Sequence, residues 1–182
     1  MRQLRGFLPW ITYGIAAPLV GWRGAAAAAL GVAIVALLSA GREGDVDVFP
    51  PTAAVFFAAC SFAGLIAPAT GLHRYIGALA PAALAAAAVW SIAIHAPFTI
   101  PFAKRVAPVE FWDTPMFMQI NVVLSMVWAA SFAAVSAISV AVVAFRPHAG
   151  VLIAAAQVAG FLIPMRICRR YPAAVRARTL AI

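Results

Sequence analysis

Apolar runs separated by short charged gaps leave this chain only one solvent in which it can fold. Six runs follow one another, at residues 7–20, 25–38, 52–69, 75–95, 120–145 and 151–167, and the charged side chains fall between them or at their ends. Hydrophobic residues make up 65% of the 182, with a mean hydropathy of +1.00. A water-soluble globule of this size needs more polar surface than that, so a bilayer supplies the missing solvent. The expected fold is an all-α, polytopic bundle of six transmembrane helices.

The charges then orient the bundle. With six spans, ten basic residues (Arg2, Arg5, Arg42, Lys104, Arg105, Arg166, Arg169, Arg170, Arg176 and Arg178) lie on one side and three (Arg23, Arg74 and Arg146) on the other. Basic residues in short loops mark the cytoplasmic face, so both termini are expected inside. The acidic loop at Glu43, Asp45 and Asp47 runs against this bias, but carboxylates contribute little to orientation. The formal charge of +8 reads as membrane anchoring rather than nucleic-acid binding, because the basic residues form no continuous stripe interleaved with stacking aromatics.

The first two runs are shorter than the roughly 20 residues that cross a hydrocarbon core comfortably. Flanking Trp22 and snorkelling Arg side chains can lengthen them. Met1 to Arg5 followed by an apolar stretch has the form of a signal peptide, but the next run begins after only Gly21-Trp22-Arg23-Gly24, the length of a tight hairpin. A re-entrant hairpin and two full crossings both return the chain to the same side, so loop charges do not separate them. The six runs also pair into three helical hairpins, each with one Arg and a nearby Gly in its outer turn. Ala, Gly and Ser dominate the spans, which is how helices pack closely where lipid removes the hydrophobic reason to associate.

Residues 95–120 form an inner interfacial loop, and residues 169–182 a basic cytoplasmic tail expected on the anionic leaflet. The loop holds the only lysine, four prolines and five aromatics. Its aromatics suit headgroup depth, Lys104 and Arg105 suit phosphates, and Glu110 and Asp113 are expected to pair internally with those cations. Candidate interaction or gating residues are Pro97, Phe98, Lys104, Arg105, Phe111, Trp112 and Asn121.

Run five supplies a second constellation. Asn121, Ser125, Trp128, Phe132, Ser136 and Ser139 share one helical face, which is expected to point into the bundle. Gln157 lies near mid-depth in run six and is expected to bond a hydroxyl of run five or a freed carbonyl. Ser131, Ser136, Ser139 and Gln157 are therefore the candidate lining of a solute path.

Several chemistries lack their residues. Of the three histidines, His73 and His148 fall on outer turns and His95 at the inner side, so two facing intramembrane haem ligands are absent. A metal site at the outer pair lacks a third ligand. No run contains a lysine for a Schiff base or a carboxylate for a proton relay. Gly-rich phosphate loops, His-Glu-x-x-His and Gly-x-Ser-x-Gly are likewise missing. Cys60 and Cys168 have neither zinc-ligand nor disulfide-framework spacing and read as inert thiols. Glu110 and Asp113 are the pair on which an enzyme acting on lipid substrates would depend. No catalytic, metal or cofactor residues are expected.

Phe7-Leu8-Pro9, Ala96-Pro97-Phe98-Thr99, Phe111-Trp112 and the run Asn121-x6-Trp128-Ala129-x2-Phe132 resemble the intracellular septation protein A-like family of small bacterial inner-membrane proteins. The resemblance covers about a third of the chain, which is richer in Ala and has a longer, more proline-rich inner loop. It implies a multi-span inner-membrane protein of the cell envelope, associated with septation and with no catalytic residues to carry over. The expected partners are membrane lipids, a second copy of the chain or other envelope proteins. A small-molecule permease or channel using the polar face of run five is the competing expectation.

Overall fold

The computed structural model describes residues 6–41, 48–67, 71, 73–146 and 149–179. Arg2, Arg5, the loop carrying Arg42, Glu43, Asp45 and Asp47, and His148 lie outside them. The described residues contain helices and no strand. Five helices are long and apolar enough to cross a membrane: α1 (Leu8–Gly41), α2 (Phe49–Ile66), α3 (His73–Ala93), α5 (Pro115–Phe145) and α6 (Gly150–Thr179). Between α3 and α5 lie the single turn α4 (Ile100–Ala103) and a 3-10 turn at Val109–Phe111.

Runs one and two belong to one element, α1, which is interrupted at Gly21 (φ 75°, ψ 163°). That conformation is open to glycine and strained for other residues, so the chain can turn there. It turns back on itself. Trp10 and Tyr13 stack on Phe57 at 5.1 and 5.5 Å, Trp22 and Arg23 lie against Gly64 near the other end of α2, and Ala29 and Ala33 return to a cluster with Ala53 and Phe57. A straight helix would carry Ala33 far beyond α2. The first arm, residues 8–20, is only about 20 Å long at 1.5 Å per residue, and the second, residues 22–41, about 30 Å.

The three-hairpin expectation needs correction. α2 and α3 touch only lightly; α3 packs chiefly on α5, α5 also on α6, and α2 on the two arms of α1. The two groups are joined at one end, where Phe49 stacks on Phe7 and Phe98, both at 4.8 Å, in a cluster that also includes Leu84, Trp128 and Cys168. Phe7 and Cys168 therefore meet at the same end of the bundle. Close packing in the second group is enforced at Gly160, where a β-carbon would collide with the side chain of Val135. Beside that contact, Ser131 Oγ donates to the Gly160 carbonyl at 2.7 Å.

Large apolar side chains stay on the outside: Leu19 is 76% exposed, Val55 72% and Val151 81%. Such surfaces are stable in lipid and not in water. This is a multi-pass membrane protein.

Most boundaries lie within three residues of the expected ones, α2 for example spanning Phe49–Ile66 against 52–69, and two differ by five or more. α5 begins at Pro115, five residues before the expected start, so residues 115–120 are helix and the connection is shorter. Thr114 caps it, accepting from Phe117 N at 3.2 Å, and Pro115 occupies the first turn, where a missing N–H costs nothing. At the other terminus α6 runs to Thr179, so most of the expected tail continues the helix.

Candidate functional site

The connection between α3 and α5 is built in two parts. In the first, α3 stops at Ala93 and His95 takes a left-handed φ of 57°, a conformation uncommon outside glycine. Pro97 disfavours helix at Ala96 and cannot donate to a helical ladder. The backbone is satisfied in other ways. Ala96 N donates to Ser91 O at 2.9 Å, Phe98 N donates to Ser91 Oγ at 3.2 Å, and Ser91 Oγ donates to Ala88 O at 2.7 Å. Pro97, Phe98 and Thr99 are all buried, so this segment forms a cap seated on the bundle end.

Thr99 is the cap's polar contact with α5. Its Oγ1 donates to the main-chain carbonyl of Asn121 at 3.0 Å and lies 3.1 Å from Ser125 Oγ. Asn121 Nδ2 donates to Phe117 O at 2.9 Å, whereas Asn121 Oδ1 is buried without a partner. Asn121, Ser125 and Ser91 are each 0% exposed and Thr99 6%, so this polar cluster is buried.

The second part, residues 100–114, is an outward elbow held by its own contacts. Lys104 Nζ sits 5.0 Å from the centre of the Trp112 ring, and Trp112 Nε1 donates to Ala107 O at 3.1 Å. Thr114 Oγ1 closes the segment by donating to Phe111 O at 2.7 Å. Val106, Val109 and Phe111 are exposed beside the exposed cations Lys104 and Arg105. The expected internal ion pairs do not form: Glu110 and Asp113 are exposed and make no ion pair with Lys104 or Arg105. The Trp112 face takes the lysine, and the carboxylates project outward.

The seven candidate residues of this connection thus divide. Pro97, Phe98 and Asn121 are buried on the cap side, Lys104, Arg105 and Phe111 are exposed on the elbow, and half-buried Trp112 braces the elbow from within. Sequence reasoning missed Thr99 and Ser91 as site residues; it placed Ser125 on the inward face of run five, where the residue is buried, without giving it a partner. The signal for Thr99 was its position two residues after the proline that breaks the helix.

The four candidate solute-path residues differ in burial and contacts. Ser131 bonds the Gly160 carbonyl, Ser139 Oγ donates to Val135 O of its own helix at 2.7 Å, Ser136 is half-buried, and Gln157 is exposed on α6. Gln157, expected to bond a hydroxyl of run five or a freed carbonyl, makes no side-chain hydrogen bond among the described residues. A groove of about 570 Å³ does open between α3 and α5, but its lining, including Ala85, Val89, Trp90, Met126 and Ala133, is apolar.

No protein-family model matches this chain, and neither does any curated protein or solved structure.

Proposed function

We propose that this is a non-enzymatic integral protein of the bacterial inner membrane that acts in the cell envelope, through helix packing and the elbow at residues 100–114. On this reading the two arms of α1 and the four other long helices make six crossings, with both termini and the elbow cytoplasmic. The excess of basic residues on that side supports the orientation. The observation that carries the functional reading is the elbow: a short, internally braced segment between two spans that leaves two cations and several apolar side chains facing outward. Such a surface suits lipid headgroups and the membrane-proximal faces of other envelope proteins. The resemblance to the septation protein A-like family supplies the cellular context.

The test is complementation of an envelope or septation defect in cells lacking the protein. Lys104→Ala/Arg105→Ala and Trp112→Ala should abolish rescue while membrane levels hold, whereas Ser136→Ala and Gln157→Leu should rescue fully. Full rescue by the elbow variants would overturn the reading. Loss with Ser136→Ala or Gln157→Leu alone would return the permease to first place. Labelling of single cysteines in a background without Cys60 and Cys168 checks the sidedness. Val106→Cys should react only from the cytoplasm and Ala149→Cys only from outside.

A further inference from the structure

The two arms of α1 and the helix they pack on form a face that is short from end to end, and its ends are tied together. At one end Phe7 stacks on Phe49 at 4.8 Å. At the other, a β-carbon on Gly64 would stand 3.2 Å from the side chains of Trp22 and Arg23, just before α2 stops at Ile66. The first arm therefore covers the distance from Phe49 to Gly64 on α2, about 22 Å at 1.5 Å per residue. Because both ends are fixed to α2, tilting the arm cannot lengthen it. The apolar part of the second arm, residues 25–38, is about 21 Å long.

The tip of α1 also meets α3 near its start, where Ala26 packs with Cys60 and Ile76. The tip is thus level with the end of α2 and the beginning of α3, and where those helices cross, the hairpin crosses too. A hydrocarbon core is usually about 30 Å thick, so this face falls short of it by about 8 Å. Ile15 and Leu19 on the first arm and Val55 and Phe62 on α2 are exposed, and all four are apolar, so lipid chains must meet the face directly. In the sequence, Arg23 bounds the apolar stretch at the tip, and Arg42 and Glu43 bound it after the second arm. A bilayer accommodates a short apolar face by thinning, which short acyl chains do with less distortion than long ones.

We propose that the face formed by α1 and α2 binds phospholipids of short acyl chain in preference to long ones, thinning the membrane beside the protein. The proposal takes from the proposed function only that both arms cross. That premise has its own check: Arg23→Cys, in a background without Cys60 and Cys168, should react with a membrane-impermeant thiol reagent from the same side as Ala149→Cys, whichever side that is. Reaction from opposite sides would overturn the proposal, whereas a reversed orientation of the whole bundle would leave it standing and overturn only the sidedness of the proposed function.

The deciding experiment places the full chain in dioleoylphosphatidylcholine vesicles that also contain equal amounts of the dimyristoleoyl and dierucoyl lipids, one of the two brominated in its chains. A fluorophore on Ile15→Cys, in the same background, reports its neighbours by quenching. The short-chain lipid should be enriched about threefold over the long one at this site. The unsubstituted chain supplies a second measurement: its unfolding midpoint should fall in the order dimyristoleoyl, dioleoyl, dierucoyl when it is reconstituted in nanodiscs of each lipid. No enrichment at residue 15, enrichment of the long-chain lipid, or a midpoint that does not fall with chain length would overturn the proposal.

Discussion

The cap at residues 94–99 and the elbow at residues 100–114 belong to one connection, yet they are held by opposite means. The cap is tied to other elements: Phe98 stacks on Phe49 of α2, Phe98 N reaches Ser91 of α3, and Thr99 reaches Asn121 and Ser125 of α5. The elbow is tied mainly to itself, through Lys104 on Trp112 and Trp112 on Ala107. Proline-rich connections are commonly treated as one tether, and here position in the sequence is a poor guide to role. Residues a few places apart belong to the bundle core and to its outward surface. Substitutions in the cap should change stability, and substitutions in the elbow should change interactions.

The largest effect is expected at Phe98, which is 6% exposed and joins the cluster linking both helix groups. Phe98→Ala should cost about 3 kcal/mol, through lost packing and a residual void, and appear as a lowered unfolding midpoint in detergent. Near-normal stability would mean that the cap merely rests on the bundle. Thr99→Val comes next, at about 1–3 kcal/mol, because an isosteric methyl leaves the Ser125 hydroxyl facing an apolar group and removes the donor to Asn121 O. Thr99→Ser should recover most of that loss. If Val and Ser behave alike, the hydrogen bonds do not hold the cap.

How far this division was legible in the sequence depends on the interaction involved. Burial in lipid was legible because it follows from residue type, and so was the reversal at Gly21-Trp22-Arg23-Gly24, where a glycine and an arginine interrupt an apolar stretch. Helix pairing was not. Ala covers every side of α3, so hydropathy gives no direction, and the choice of α5 over α2 rests on shapes such as Leu84 and Ala88 against Trp128 and Phe132. Gln157 was expected to face a neighbouring helix, whereas its facing outward is a matter of rotation about the helix axis, which counting residues does not give. The start of α5 was legible after all in Thr114-Pro115, a cap followed by a first-turn proline, but Gln119 and Asn121 obscured it by lowering local hydropathy. The charge pairing failed because Lys104 has a neighbour that sequence separation ranks no higher than Glu110: the ring of Trp112.

Trp112→Ala tests the elbow's own brace. It removes one cation–π contact and one N–H bond from a partly exposed segment, worth about 1 kcal/mol together, and should leave the unfolding midpoint of the bundle unchanged. Limited proteolysis should nevertheless cut faster between Lys104 and Asp113. A fall in the midpoint comparable to that of Phe98→Ala would show that the elbow is part of the core and erase the distinction.

Smallest in stability and sharpest as a test is Lys104→Gln/Arg105→Gln. Both side chains are exposed and neither forms an ion pair, so the substitution removes only the contact of Lys104 with the Trp112 ring, worth about 0.5 kcal/mol at so exposed a site. Its effect should appear only against an anionic surface, where each juxtamembrane cation is worth about 1 kcal/mol and the attraction fades beyond a Debye length. Fluorescence quenching of an elbow label by spin-labelled lipids, in phosphatidylcholine vesicles with and without phosphatidylglycerol, reads this directly. The wild type should show deeper quenching when the anionic lipid is present and lose the difference as salt is raised, while the double variant should show no difference at any salt. If the wild type is equally insensitive, the carboxylates of Glu110 and Asp113 cancel the cations at the surface, and the elbow's attachment rests on Val106, Val109 and Phe111 alone.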